Sequence, residues 1–138
     1  MSIQRRHTAK QLGDCFKVAA ELALPVLGRQ SRHLDGLADI QLVHGIVSGQ
    51  GKLSGLRFTH AWVEGFDDNG VKYVVDASNG QEVALPSDLY YLIGKISPSE
   101  CVRFTPEQAR RHLLDAGHYG PWCGAPFEHE DPVPGVAA

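Results

Sequence analysis

The chain has 138 residues, of which 43% are hydrophobic and 21% are charged, with a net charge of −3. This length suits one domain, and this apolar content is too high for a chain that is disordered throughout. The slight negative balance, without a basic run, argues against nucleic acid as a partner. No apolar stretch reaches the roughly 20 residues that a membrane-spanning helix needs, so we expect no membrane partner.

The cysteines indicate a reducing compartment. Cys15, Cys101 and Cys123 form an odd and widely spaced set, which fits neither a disulfide framework nor a zinc site. The segment from Met1 to Lys10 is polar and has no apolar region of the kind found in secretory signals. We therefore expect a cytoplasmic protein.

The first predicted helix lies within residues 8–24. Its apolar residues recur at helical spacing and a proline follows them: Phe16, Ala19, Ala20, Ala23 and Pro25. Two starts are open, a capping box formed by Thr8 and Gln11 or a later start with Asp14 as the N-cap. Gly13 inside a helix costs about 1 kcal/mol relative to alanine. The later start is therefore favoured.

Segments rich in β-branched and apolar residues follow the first helix. They predict strands at Ile40–Val47, Arg57–Glu64, Val71–Asp76 and within Tyr90–Ile96. The three glycines of Gly49–Gly55 predict a mobile loop. Asn69-Gly70, within Phe66–Gly70, is typical of a hairpin turn and predicts that the second and third strands are antiparallel neighbours.

A second helix is predicted to begin after Thr105. Thr105 and Gln108 fit a capping box, Pro106 fits the first helical position, and Gly117 fits a C-terminal stop. The order of helix, antiparallel strands and helix predicts an α+β fold. We expect a single domain over residues 1–127 and a Pro/Gly-rich, flexible tail over residues 128–138.

Three residues have the types and positions that a thiol-dependent catalytic site requires. Cys15 lies near a helix N-terminus, where unpaired N–H groups and the helix dipole stabilise an anion. His60 and Asp76 lie on the two strands of the predicted hairpin, as cross-strand or diagonal neighbours. A thiol, a base and a group that orients the base are the parts of nucleophilic catalysis.

These residues lie in three short boxes: Gly13-Asp14-Cys15, His60-Ala61-Trp62-Val63-Glu64 and Val75-Asp76-Ala77-Ser78. In order and spacing the boxes resemble those of the transglutaminase-like superfamily, which is related to papain. The resemblance spans residues 13–79. It implies a nucleophile-bearing N-terminal helix packed on a small antiparallel sheet, with a C-terminal helix. It also implies acyl transfer through a thioester, with Cys15 as nucleophile, His60 as base and Asp76 orienting the histidine.

The resemblance implies a protein or peptide substrate, and nothing in the sequence suggests a cofactor. The candidate substrate-binding residues are Trp62, Asp14 and Gln11. Trp62 fits a cleft wall and the core equally well, and Gln11, four residues before the thiol, fits a structural role or an oxyanion donor. His33 and His44 lack a second ligand at the spacing of a metal site, so no metal is expected.

Two functions remain open at this point. The leading one is a thiol acyl-transfer enzyme, that is, a peptidase, deamidase or transamidase. The alternative is a non-catalytic protein-binding module that keeps the same fold. The sequence does not choose between hydrolysis and transamidation, and it does not give the oligomeric state.

Overall fold

The computed structural model describes residues 14–49, 51–78 and 80–122. Five antiparallel strands form one sheet in the order β4-β3-β2-β1-β5. The strands are β1 Ala38–Ser48, β2 Arg57–Phe66, β3 Lys72–Asp76, β4 Val83–Pro86 and β5 Cys101–Phe104. The helices are α1 over residues 14–23, α2 Ser87–Gly94 and α3 Pro106–Ala116. The predicted α+β class is therefore confirmed.

The hairpin of β2 and β3 follows the sequence prediction. The side chain of Asp67 accepts hydrogen bonds from the backbone N–H groups of Asn69 and Val71, which stabilises the turn. Gly70 has a φ of 81°, a left-handed conformation that glycine adopts without steric cost. The pairing of Val63 with Val75 then fixes the register that positions the candidate residues.

Both faces of the sheet are covered, which explains the nearly continuous burial of β1 and β2. Ala61 and Val63 belong to a core that includes the buried side chains of α1 and Ala109 of α3. Trp62 points to the other face, where Tyr90 and Tyr91 of α2 pack around it. The alternation of β2 thus divides its side chains between two cores.

The strand predicted within Tyr90–Ile96 is wrong, because residues 90–94 belong to α2, which ends at Gly94. Its tyrosines and isoleucine favour a strand, but Asp88 lies in the first helical turn and Lys95 ends the helix in a left-handed conformation. The side chains of Tyr90 and Tyr91 pack on the sheet, whereas the other apolar side chains of α2 stay exposed. Tertiary packing has overridden local propensity.

The C-terminal helix is confirmed with its predicted ends. Thr105 and Gln108 form both hydrogen bonds of the capping box, and Gly117 is the left-handed C-cap. The short strands β4 and β5 were not predicted from the sequence. The boundary at residue 127 and the tail 128–138 lie outside the described residues. Within the described ranges, no helix is long and apolar enough to cross a membrane.

Candidate active site

His60 and Asp76 form a side-chain pair between β2 and β3. The Nε2 atom of His60 lies 2.9 Å from Oδ2 of Asp76. Continuing the register from Val63 and Val75 by one pair places Asp76 opposite Trp62, so His60 is its diagonal neighbour on the same face. Both side chains are largely buried, with exposed fractions of 11% and 15%. The hairpin thus brings the two predicted residues into direct contact.

Cys15 lies in the first described turn of α1, next to the His60 ring. Its thiol is 1% exposed, and it acts on His60 through a hydrogen bond and through its charge. The Nε2 atom of His60 is engaged with Asp76. No described nitrogen or oxygen atom bonds to Nδ1, which is also buried. Nδ1 is therefore the ring nitrogen that remains for the sulfur of Cys15.

The charges of this site favour an imidazolium beside a carboxylate. Burial alone would lower the pKa of His60, but hydrogen bonds and charges from Asp76 and Cys15 outweigh it and raise that pKa to about 10. Burial alone would raise the pKa of Asp76. Hydrogen bonds from His60 and Tyr90, and the charge of His60, lower it instead to about 2. Near neutral pH the histidine therefore holds its proton against an ionised carboxylate.

Tyr90 is a member of this site that the sequence analysis missed. Its hydroxyl donates a hydrogen bond of 2.6 Å to Oδ2 of Asp76, the same oxygen that His60 contacts. The backbone N–H of Ser78 donates to the other carboxylate oxygen at 3.0 Å. The sequence predicted a strand at Tyr90. The residue pattern of that segment therefore gave no indication that the Tyr90 side chain contacts Asp76.

The glutamate of the second box, Glu64, is buried at the centre of a polar network. The indole Nε1 of Trp62 donates to its Oε2 at 2.9 Å, and the hydroxyl of Tyr91 donates to the same oxygen. Arg103 and Lys72 lie 3.4 and 3.5 Å from Oε1. A buried carboxylate requires such partners. Glu64 thereby connects β2 with α2, β3 and β5.

Trp62 lies in the core, one of the two positions that the sequence left open for it. Its side chain is fully buried, and its ring centroid is 6.0 Å from that of His60 and 5.3 Å from that of Tyr90. It does not line the cavity beside Cys15. Trp62 therefore packs against the rings of His60 and Tyr90, the two side chains that contact Asp76.

A cavity of about 440 Å³ lies next to the sequence neighbours of Cys15 and Asp76, although neither these two residues nor His60 lines it. It is lined by Asp14, Val18, Arg29, Ala77, Ser78, Gly80 and Glu82. Asp14 directly precedes Cys15, and Ala77 and Ser78 directly follow Asp76. Asp14 thus lines this cavity, whereas Gln11 lies outside the described residues.

The histidines considered as metal ligands lie apart. His44 is fully buried among aromatic rings, and burial, with a smaller effect of the His112 charge, lowers its pKa to about 3. His33 is exposed and pairs with Glu82. In the part of the chain that the structure describes, no three histidine, cysteine or acidic side chains are grouped as metal ligands would be.

Comparisons with known proteins give no match to this chain, whether with family models, with curated proteins or with solved structures. No relative therefore supplies a function. The features that bear on function are the three sequence boxes and the contacts among the side chains of Cys15, His60 and Asp76.

Proposed function

We propose that this protein is a thiol acyl-transfer enzyme in which Cys15, His60 and Asp76 form a catalytic triad. The observation that carries the proposal is the hydrogen bond of 2.9 Å between Nε2 of His60 and Asp76, which leaves Nδ1 for the thiol. A nucleophile, a base and an orienting carboxylate in contact are the parts that covalent catalysis requires. On this proposal the fold is papain-like, with the nucleophile at the start of α1.

The reaction begins from a pair in which His60 already holds the proton of Cys15, because the pKa of His60 is raised to about 10. The thiolate attacks the carbonyl carbon of an amide. The backbone N–H groups at the start of α1, including that of Cys15, donate to the oxyanion that forms. The imidazolium then gives its proton to the leaving amine, the C–N bond breaks, and a thioester remains on Cys15.

A second nucleophile resolves the thioester. Water or a primary amine loses a proton to His60 and attacks the carbonyl carbon, and the C–S bond breaks to regenerate the thiol. Water yields a carboxylic acid, and an amine yields a new amide. Asp76 holds Nε2–H of His60 throughout and stabilises the imidazolium that both steps require.

The substrate that we propose is a protein or peptide whose acyl group enters the cavity beside Cys15. The cavity volume of about 440 Å³ accommodates a side chain or a short peptide segment. The chemistry needs no cofactor, because the chain itself supplies the nucleophile and the base. A reducing compartment such as the cytoplasm would keep the thiol available.

Alkylation with iodoacetamide tests the proposal. Near neutral pH we expect Cys15 to react at least about tenfold faster than Cys101, because a thiolate is the reacting form. Burial raises the pKa of Cys101 to about 11, so that thiol serves as the internal reference. Peptide mapping by mass spectrometry separates the sites, and Cys15→Ala identifies the fast one.

The matched control compares two histidines. His60→Ala is expected to slow alkylation of Cys15 to the rate of Cys101, whereas His33→Ala, at an exposed position paired with Glu82, leaves it unchanged. The proposal is contradicted if Cys15 reacts no faster than Cys101 in the unmodified chain, or if Cys15 keeps its fast rate in His60→Ala.

One observation favours the alternative, a non-catalytic protein-binding module. Cys15 is 1% exposed, so a substrate reaches its sulfur only after a local opening of the cleft. Cys15→Ala separates the two functions. A folded variant that loses cellular function supports the enzyme, and a folded variant that keeps it supports the binding module.

A further inference from the structure

The Asp76 carboxylate is held on three sides by donors from three elements. The Nε2 atom of His60 on β2 and the hydroxyl of Tyr90 on α2 both contact Oδ2, at 2.9 and 2.6 Å. The N–H of Ser78, which follows β3, bonds Oδ1 at 3.0 Å. Rotation of the carboxylate toward or away from His60 therefore breaks at least one hydrogen bond.

The helix that carries Tyr90 is itself fixed to the sheet. Its next residue, Tyr91, donates to the buried Glu64, and Arg103 donates to the hydroxyl of Tyr91 at 2.6 Å. The rings of both tyrosines pack on Trp62, with centroids at 5.3 and 6.0 Å. The hydroxyl of Tyr90 is thus presented to Asp76 from a rigid support.

We propose that Tyr90 is a positioning residue, whose hydroxyl fixes the Asp76 carboxylate in the orientation that contacts Nε2 of His60. The catalytic importance of this positioning rests on the function proposed above, in which Asp76 orients His60. The geometry around Asp76 can be tested without any reaction. The tyrosine hydroxyl touches the carboxylate and acts on the imidazole only through it.

The hydroxyl of Tyr90 remains a donor across the pH range in which His60 titrates. Burial, followed by the charge and hydrogen bond of Asp76, raises the pKa of Tyr90 well above its ordinary value of 10.0. The titratable groups that face the His60 ring are then Cys15 from α1, Asp76 from β3 and, through Asp76, Tyr90 from α2.

Two effects of removing the Tyr90 hydroxyl have opposite signs, which makes the test decisive. If the hydroxyl positions Asp76, its loss loosens the contact with His60 and lowers the pKa of His60. If the hydroxyl only withdraws charge from Asp76, its loss makes the carboxylate a stronger acceptor and raises that pKa.

The experiment is an NMR titration of the His60 imidazole in the full chain, compared with Tyr90→Phe and Tyr91→Phe. Tyr90→Phe removes one hydroxyl and keeps the ring on Trp62. We expect it to lower the pKa of His60 by about one unit, a tenfold loss of proton affinity. Tyr91→Phe removes the neighbouring hydroxyl of the same helix and is expected to leave the pKa of His60 unchanged. His60→Gln assigns the signal.

An unchanged or raised pKa of His60 in Tyr90→Phe overturns the proposal, as does an equal decrease in both variants. A measurement on the unmodified chain covers the case in which a variant fails to fold. The hydroxyl proton of Tyr90 should show a nuclear Overhauser effect to the Nε2 proton of His60, since both point at one oxygen, and its absence counts against the proposal. If Cys15 is unreactive but the pKa of His60 is lowered in Tyr90→Phe, the proposed enzyme is refuted and the positioning role of Tyr90 is retained.

Discussion

At the scale of single residues, the packing of Trp62 next to His60 depends on the close approach of its ring to Gly45. Gly45 of β1 pairs with His60 of β2, and the edge of the Trp62 ring covers it. A Cβ atom at this position would lie 2.6 Å from Cη2 of Trp62 and 2.9 Å from Sγ of Cys101. Only a residue without a side chain leaves room for the tryptophan ring beside His60.

Gly45→Ala is expected to lower the free energy of unfolding by about 1 to 3 kcal/mol, because the added methyl group would overlap the buried indole of Trp62. Urea unfolding monitored by fluorescence measures the change. Gly36→Ala is the matched control, since a Cβ atom there meets nothing within 4 Å. Equal stabilities of the two variants would contradict the close packing inferred for Gly45.

At the scale of elements, α3 is a helix whose two ends are determined by residues at its own termini. Thr105 accepts from the N–H of Gln108, and the Gln108 side chain accepts from the N–H of Thr105. The helix is largely amphipathic, with Ala109 fully buried against the α1 side of the sheet. Local hydrogen bonds define where α3 begins, and one apolar face defines where it packs.

Thr105→Ala is expected to cost about 1 kcal/mol of stability, within the range of roughly 0.5 to 2 kcal/mol typical of N-cap losses. Thermal or urea unfolding measures it. Ser97→Ala provides the comparison, because Ser97 precedes the short turn Pro98–Glu100 without a side-chain capping bond. We expect that change to cost clearly less. A loss at Ser97 as large as that at Thr105 would show that the capping box adds no stability.

At the scale of the whole molecule, the Asp76–His60 pair connects folding stability with pH. The pKa of Asp76 is lowered from 3.8 to about 2, so its contribution is present above 3.8 and is lost as the pH falls toward 2. The pKa of His60 is raised from 6.5 to about 10, so its contribution is complete below 6.5 and is lost as the pH rises toward 10. The pair therefore stabilises the fold most between about pH 4 and pH 6.5.

Asp76→Asn tests this pH dependence. The difference in unfolding free energy between the unmodified chain and Asp76→Asn should be largest between about pH 4 and pH 6.5 and should shrink on both sides. Urea midpoints measured across the pH range give the profile. Asp68→Asn changes an exposed carboxylate of the same hairpin turn and is the control. A difference that stays constant with pH contradicts the assigned shifts.

The sequence predicted those features whose causes are local. The Asn69-Gly70 turn, the capping box at Thr105 and the period of two in β2 each act over a few residues. The turn and the strand period are enough to predict that His60 and Asp76 are neighbours, and their side chains are in contact. The α+β class followed from the order of such elements. The side of the sheet that each element covers did not follow.

Tertiary contacts decided the remainder of the candidate site. Tyr90 lies in a helix, although its segment favours a strand, and in this helix the hydroxyls of Tyr90 and Tyr91 donate to the carboxylates of Asp76 and Glu64. The burial of Trp62 and the approach of Cys15 to His60 likewise join positions far apart in the chain. Local patterns carry no information on such distant partners, so only the folded structure brings the thiol, the imidazole, the carboxylate and the phenol together.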